Sequence, residues 1–268
     1  MATQENLDKT YIDFSKRILV TRFGGLGDLL FMEPTIRAIY KKYFPCEIVV
    51  RTFYDYVGVF DNHPCISTTI YDDNSYSLGY NNNLNPKALN DWGDVDPNFD
   101  LCFDLSDAVE NYMDDSNVHA VSAFAIKAGN IEVKDLLPQI PYTAEHTPRH
   151  PLVVQLTSSG EERDLGQNEE VKGLLAPYNP YYIGEGFPAT KLPYNQLVNI
   201  IRNCEVFVGT ESCGVIMAAG LHKKTIGLYL NSIRIRTRGF SNVVGISFEE
   251  VSTKLNTELT KLLGQPVL

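Results

Sequence analysis

Apolar residues in the first hundred positions fall into short runs and one helical pattern. Residues 17–21 form a β-branched apolar run that ends at a group of glycines, which is typical of a buried strand. Residues 28–43 place apolar side chains at helical spacing, and residues 47–51 and 100–105 are two further apolar runs. The order strand, glycine loop, helix, strand predicts the start of a parallel doubly wound sheet of the α/β class.

The segment 138–151 is the predicted linker between two halves. Its prolines are Pro138, Pro141, Pro148 and Pro151. Because proline interrupts helices and strands, such a cluster separates folded units. The alternation of strands and helices begins again after it. Predicted strands are 152–156, 181–183, 205–209 and 225–229, and predicted helices are 194–202, 213–221 and 247–263. We therefore expect two Rossmann-like domains, 1–148 and 149–268, with the second shortened and closed by the last helix.

Three local features give further expectations. Pro34 falls inside 28–43, and because proline breaks a helix interior we expect a short turn and then the main helix from Glu33. Residues 72–98, rich in Asn, Asp, Gly, Tyr and Ser, are expected to form a long surface loop. After the strand at 100–105, a helix should bury Ala120, Phe124, Ala125 and Ala128.

Composition and charge narrow the class of protein. There is no run of about 18 apolar residues and no apolar signal core in the polar N-terminus, so we expect no transmembrane segment and a cytoplasmic location. A net charge of −10 disfavours a whole-chain nucleic-acid binder. The five cysteines are scattered and form no Cys-x-x-Cys pair, which predicts neither a zinc site nor a disulfide framework.

The sequence Gly24-Gly25-Leu26-Gly27-Asp28 joins the first strand to the first helix. Glycines allow a tight turn and close approach of a ligand, and the free N–H groups of a helix start attract anions. A dinucleotide fingerprint would need glycine where Leu30 stands, which disfavours an NAD(P)-binding enzyme. Spacing alone leaves two interpretations of Asp28 open: a helix cap, or the general base of a reactive cleft.

A second polar turn, Thr210-Glu211-Ser212-Cys213-Gly214, follows the predicted strand 205–209. Glu211 can accept hydrogen bonds from sugar hydroxyls, and Ser212 with the N–H groups near Cys213 and Gly214 can bind a diphosphate. The alternative is that Ser212 only caps the helix, with Glu211 in its first turn. Cys213 has no histidine nearby in sequence, which disfavours a nucleophilic thiol.

Together the two motifs resemble those of glycosyltransferase family 9, the heptosyltransferase-like family. The first motif is an apolar strand, Gly-Asp, proline, and a helix ending before Phe-Pro. The second is a Leu-rich helix, a strand, Asp-Ser/Thr-Gly-Pro-x-His, and an Ala-rich helix. The matching residues here are Gly27-Asp28, Pro34, Phe44-Pro45, Leu197, Glu211-Ser212 and Ala218-Ala219-Gly220. Their order and separation agree over most of residues 17–230.

The resemblance implies the GT-B fold, in which a nucleotide-sugar is held mainly by the C-terminal domain, and an inverting, metal-independent transfer. It implies that Asp28 is the base. The candidate donor-binding residues from the resemblance and the two loops are Gly25, Gly27, Thr157, Ser158, Arg163, Lys191, Glu211, Ser212, Cys213 and Gly214. The chain departs from the family pattern at Glu211 for aspartate, Cys213 for glycine, Gly214 for proline and Ile216 for histidine.

The hypothesis is a single displacement at the anomeric carbon, with Asp28 deprotonating an acceptor hydroxyl and Arg163 and Lys191 stabilising the departing diphosphate. The nucleotide-diphosphate sugar is a substrate, and no cofactor or metal is expected. The altered second motif leaves a degenerate protein, which binds a nucleotide or sugar without turnover, as the alternative.

Three arginines, Arg234, Arg236 and Arg238, alternate along a stretch that is expected to be extended. They are either a solvated strand edge or a patch for the diphosphate or for an anionic acceptor. The acceptor classes left open are a saccharide, a lipopolysaccharide-like molecule, another hydroxyl compound, and, less favoured because of the net charge, DNA.

Overall fold

The computed structural model describes residues 16–53, 56–72, 98–112, 118–158, 164–184, 192–229, 237 and 239–265. Within these ranges the strands form two parallel sheets, one from each half of the chain. This arrangement confirms the α/β class with two Rossmann-like sheets. None of the helices in the described ranges is both long and apolar enough to cross a membrane.

The N-terminal sheet has four parallel strands in the order β3-β2-β1-β4. The strands are β1 Arg17–Thr21, β2 Glu47–Phe53, β3 Thr68–Asp72 and β4 Leu101–Asp104. Helix α1, Leu26–Tyr43, connects β1 to β2. A 3₁₀ turn, Glu110–Tyr112, and helix α2, Ala120–Lys127, follow β4. Ala120, Phe124, Ala125 and Ala128 are buried, as their spacing predicts.

The C-terminal sheet has five parallel strands in the order β6-β5-β7-β8-β9. The strands are β5 His150–Gln155, β6 Tyr181–Tyr182, β7 Cys204–Thr210, β8 Lys224–Tyr229 and β9 Val243–Ser247. The helices are α3 Glu169–Leu175, α4 Tyr194–Arg202, α5 Cys213–Gly220 and α6 Val251–Leu263. The domain boundary at 148/149 stays a prediction.

Helices α1 and α5 join the two halves. Buried residues of α1, such as Leu29 and Ile36, belong to the same apolar cluster as Ile216 and Met217 of α5. At the start of α1, a Cβ added to Gly27 would lie 3.2 Å from Ile216 Cδ1 and 3.7 Å from the Cα atom of Cys213. The two helix starts, which carry the two sequence motifs, are therefore packed against each other.

Helix α1 runs unbroken through Pro34, so the expectation of a turn followed by a helix from Glu33 is wrong. Proline in a helix interior costs about 3 kcal/mol. The helix also buries Leu29, Leu30 and Met32 between β1 and the other half of the chain. Each such side chain contributes about 1.5–3 kcal/mol when fully buried. Packing on two sides therefore outweighs the defect at Pro34.

The expected helix 247–263 begins later, because residues 243–247 form β9 and Phe248–Glu250 form a 3₁₀ turn before α6. Strands β3 and β9 and helix α3 have no counterpart among the sequence predictions. Both strands lie at sheet edges. The pattern of β3, Thr-Thr-Ile-Tyr-Asp, is only weakly apolar, and the apolar run of β9 is interrupted by Gly245. The predicted loop 72–98 lies outside the described residues except at its two ends.

The linker lies along helix α4 as an extended strap, residues 143–147. Asn195 Oδ1 accepts a hydrogen bond from the Thr143 amide at 2.9 Å, and Asn199 Oδ1 accepts one from the Glu145 amide at 3.2 Å. Asn203 Nδ2 donates to the Thr147 carbonyl at 3.3 Å. Asparagines at i, i+4 and i+8 share one helix face. This ladder supplies the backbone partners that an extended segment otherwise lacks.

Candidate functional site

The loop between β1 and α1 is shaped by the side chain of Arg22. A Cβ added to Gly24 would lie 2.7 Å from Arg22 Nε, so only glycine leaves room for the guanidinium to fold back under the loop. Gly25 then takes an extended conformation and serves as the N-cap of α1.

Asp28, the predicted base, lies in the first turn of α1 and is 7% exposed. Its Oδ2 atom accepts a hydrogen bond from the Gly25 amide at 3.0 Å and lies 3.1 Å from Arg22 Nη2. Within the described part of the chain, Oδ1 makes no hydrogen bond. Asp28 thus caps the helix with one oxygen and has the other available for chemistry, so both interpretations of this residue are compatible with the geometry.

Arg22 is the centre of a charge cluster that the sequence did not single out. Its side chain is 1% exposed and contacts two carboxylates: Asp28, and Glu110 in the turn after β4. Its guanidinium also lies 5.5 Å from the centre of the Phe124 ring. Burial works against the charged guanidinium, but Asp28 and Glu110 outweigh it and raise the pKa of Arg22. The sequence could have indicated Arg22, because it is a cation between a predicted buried strand and a glycine loop. No feature of the sequence indicates Glu110.

The second motif begins at the end of β7. Glu211 is 9% exposed. Burial, and to a lesser extent the Glu211 charge, raise the pKa of Tyr229 to about 12, although a hydrogen bond to Thr237 lowers it. Ser212 occupies the N-cap position of α5, yet its side chain makes no capping hydrogen bond. Its Oγ atom is buried and has no hydrogen-bond partner among the described residues. The interpretation of Ser212 as a simple cap is therefore wrong.

Gln155, at the end of β5, is a site residue that sequence reasoning missed. Its Nε2 donates to the Thr157 carbonyl at 3.4 Å, and its Oε1 is buried without a hydrogen-bond partner in the described ranges. The side chain lies against Gly214, where an added Cβ would overlap Gln155 Oε1 and lie 2.8 Å from the Phe207 ring. Gln155 thus connects the β5 loop to the start of α5. Only its position at a strand end could have indicated this role.

Cys213 is the first residue of α5. Burial raises the pKa of its thiol to about 11, although backbone hydrogen bonds to Cys213 and Gly214 lower it. At neutral pH the sulfur is therefore protonated and a poor nucleophile. This agrees with the absence of a neighbouring histidine in the sequence.

The structure brings several of the predicted site residues together. Gly27 and Cys213 are in contact across the two halves, and Gly214, Gln155 and Thr157 continue the same surface. Ser158 follows Thr157 directly after β5. Five predicted residues lie outside the described ranges: Arg163, Lys191, Arg234, Arg236 and Arg238. Their roles stay predictions.

No protein-family model and no curated protein sequence matches the chain. Solved structures do match. A glycosyl transferase family 9 protein from Veillonella parvula superposes with a TM-score of 0.63 at 14% identity, covering 95% of this chain and 91% of that one. The E. coli ADP-heptose lps heptosyltransferase II gives 0.62 at 14% identity, with 92% and 98% covered. E. coli heptosyltransferase WaaC with ADP gives 0.60 at 12% identity, with 91% and 98% covered.

The chain has the GT-B fold of these glycosyltransferases. The resemblance to family 9 that the two motifs carry is thus confirmed at the level of the fold, with Asp28 and Ser212 at the facing starts of α1 and α5. At 12–14% identity the likeness establishes architecture, so the activity has to be argued from the site itself.

Proposed function

We propose that this protein is an inverting, metal-independent glycosyltransferase that moves a sugar from a nucleoside-diphosphate sugar to an acceptor hydroxyl. The observation that carries the proposal is the Asp28 carboxylate. One of its oxygens is fixed by Gly25 and Arg22, while Oδ1 makes no hydrogen bond within the described ranges. A general base needs this combination of fixed orientation and an available lone pair.

The proposed reaction uses the two facing helix starts, with the base at α1 and the departing diphosphate at α5. Asp28 takes the proton as the acceptor O–H bond breaks, and the acceptor oxygen forms a bond to the anomeric carbon. The bond from that carbon to the diphosphate oxygen breaks on the opposite side, which inverts the anomeric configuration. The diphosphate leaves with the electron pair. Its negative charge falls at the start of α5, where backbone N–H groups and the Ser212 hydroxyl can receive it.

The donor is proposed to be a nucleoside-diphosphate sugar because the unpartnered Ser212 hydroxyl can donate to a diphosphate oxygen, and the unpartnered Gln155 side-chain oxygen can accept from a sugar hydroxyl. Ser212 and the Gln155 amide group supply the polar contacts, and Arg163 and Lys191 are the sequence candidates for a cation near the diphosphate. The WaaC neighbour was solved with ADP, and so ADP-sugars are the first donors to test. The acceptor is any of the classes named above.

The test is a screen of nucleoside-diphosphate sugars with hydroxyl acceptors, with and without a chelator. Thermal stabilisation by one nucleoside diphosphate, release of that diphosphate on turnover, and no loss with the chelator are expected. A ligand present at about 100 times its dissociation constant adds about 2.7 kcal/mol of stability. Loss of turnover with the chelator would contradict metal independence. Binding of NAD(P) alone would contradict the transferase itself.

Asp28→Asn tests the base directly. Asparagine retains an oxygen that can accept from Gly25 but cannot take a proton at neutral pH. Turnover is expected to fall by about 10²–10⁴-fold, while nucleoside-diphosphate affinity, measured by calorimetry, stays within a few fold. The exposed Asp61→Asn variant is the matched control and should retain full activity. Near-wild-type turnover in Asp28→Asn would remove Asp28 from the mechanism.

A second candidate function has one specific observation in its favour. Ile216 stands where the family pattern has histidine, and its side chain packs against Gly27 instead of offering a polar group. This suits a protein that holds a nucleotide or sugar without turning it over. Tight binding of a nucleoside diphosphate, without transfer or donor hydrolysis across the whole panel, would favour this second function.

A further inference from the structure

Arg22 divides its guanidinium unequally between two carboxylates. Nη2 and Nη1 donate to the two oxygens of Glu110, at 2.8 and 3.2 Å, which is a bidentate fork. Asp28 approaches only Nη2, at 3.1 Å. Nη1 additionally lies 3.5 Å from the Leu105 carbonyl. The arrangement therefore gives the better aligned contacts to Glu110 and leaves Asp28 as an electrostatic neighbour.

Glu110 reaches this cluster from a distant part of the chain. It begins the 3₁₀ turn after β4, whereas Arg22 directly follows the neighbouring strand β1, and Asp28 lies in α1. The side chain of Glu110 is 45% exposed, in contrast to the 1% of Arg22 and the 10% of Asp28. Glu110 thus closes the solvent side of the buried cation.

The charges of the cluster explain what Glu110 does for Asp28. If Arg22 faced Asp28 alone, its fork would bind both carboxylate oxygens, and the pair would be neutral. With Glu110 present, one guanidinium faces two carboxylates, so Oδ1 of Asp28 stays outside the fork and keeps its lone pairs. A carboxylate in this state is a better proton acceptor than one that is fully paired.

We propose that Glu110 is a positioning residue for the reaction: by holding the fork of Arg22, it orients Asp28 and maintains its strength as a base. This inference rests on the proposed transferase function. Among the described residues, the charged or titratable groups around Asp28 are Arg22 and Glu110 from its own half and, at the facing helix start, Cys213 and Glu211, which lies two residues before it. Cys213 stays neutral over the working pH range, and Glu110 is the carboxylate that shares Arg22 with Asp28.

The experiment compares Glu110→Gln and Glu110→Asp with Glu132→Gln, an exposed carboxylate that is the matched control. In Glu110→Gln the lost negative charge lets Arg22 pair fully with Asp28. The acid limb of the kcat/KM profile should move to lower pH by about half a unit or more, and the plateau rate should fall about 3–10-fold. Glu110→Asp keeps the charge and should return the limb towards its wild-type position. Glu132→Gln should leave both unchanged.

Two further readouts separate a positioning role from a general loss of structure. Nucleoside-diphosphate affinity should stay within about twofold in Glu110→Gln, because donor binding lies at the α5 side. A wild-type acid limb and rate in folded Glu110→Gln would overturn the proposal. If Glu110→Gln does not fold, Glu110→Asp decides alone: because it keeps the charge but shortens the side chain, its acid limb should stay near the wild-type position while its rate falls more than its donor affinity.

The coupling can also be measured without turnover, so that its failure differs from failure of the proposed function. Carbon-13 NMR titration of the aspartate carboxyls, with Asp28 assigned by its absence in Asp28→Asn, follows the residue directly. Its titration should move to lower pH in Glu110→Gln than in wild type. If this shift is found in a protein without transfer activity, the coupling of Glu110 to Asp28 is supported and the proposed transferase function is contradicted. An unmoved titration would discard the role of Glu110.

Discussion

The start of α1 and the start of α5 are both turns from a strand into a helix, yet they hold their polar side chains differently. At α1, the Asp28 carboxylate is fixed by a backbone amide and a buried arginine, which a second carboxylate holds in turn. At α5, the Ser212 hydroxyl and the Gln155 side-chain oxygen Oε1 are buried and have no hydrogen-bond partners among the described residues. The charged side chains of the first turn therefore hold one another, although Arg22 Nε has no hydrogen-bond partner among the described residues, whereas the two polar groups of the second turn are held by none of them.

The difference is informative because buried polar groups without partners are costly. Leaving such a group unsatisfied costs about 1–3 kcal/mol. Native proteins tolerate this mainly where a ligand, a water or a functional motion supplies the partner. We expect the side chains fixed at the start of α1 to serve the chemistry, and the polar groups without partners at the start of α5 to bind the ligand. The following variants test that division, in order of expected effect.

Ser212→Ala should weaken binding strongly without affecting folding. A hydrogen bond to a charged group contributes about 1.5–3 kcal/mol, so affinity for the nucleoside diphosphate selected by the donor screen should fall about 10-fold or more. Since Ser212 makes no capping bond, the melting temperature should stay unchanged. Calorimetry and thermal unfolding measure the two effects, with exposed Ser67→Ala as control. Unchanged affinity with a lowered melting temperature would make Ser212 structural after all.

Gly214→Ala should destabilise the same turn by crowding. The new methyl group would collide with Gln155 and with the Phe207 ring. Overpacking costs about 1–3 kcal/mol, which is several degrees in melting temperature for a chain of this size. Gly173→Ala is the matched control, since nothing lies within 4 Å of an added Cβ there and it sits inside helix α3. That control should be neutral or stabilising by about 0.5–1 kcal/mol.

Cys213 should be the least sensitive position. Its thiol pKa is raised from 9.0 to about 11, so the neutral form is favoured by folding. That contribution to stability is complete below pH 9 and is lost as the pH rises towards 11. Alkylation followed by mass spectrometry should modify exposed Cys102 readily at pH 8 and Cys213 only at much higher pH. Rapid labelling of Cys213 at pH 8 would contradict the raised pKa of its thiol.

The sequence predicted the parts of the fold that depend on local pattern. Strands β1 and β7 are unmistakable apolar runs, and α4 has the bounds that its spacing indicates. The sequence prediction failed where tertiary packing decides the structure: Pro34 stays helical because both sides of α1 are buried, and edge strand β3 lacks a strong apolar run.

The candidate site divides in the same way. Asp28 and Ser212 follow from motifs, because a glycine loop or a polar turn at a helix start is readable in one dimension. Glu110 and Gln155 could not be identified from the sequence, since each is recognised only by its contact with a residue distant in sequence. Donor binding by the predicted residues stays a prediction, and the variants above test it.

The asparagine ladder has a mechanical consequence for the two halves. The amides of Thr143 and Glu145 are bonded to α4, so the strap moves with the C-terminal half. Upstream, the Gln139 amide donates to Glu33 of α1 at 2.8 Å and belongs to the N-terminal half. Only the three residues 140–142 separate these anchors, and Ile140 among them packs against Gly220 of α5. A crossover this short acts as a stiff pivot, which restricts the angle through which the facing helix starts can separate.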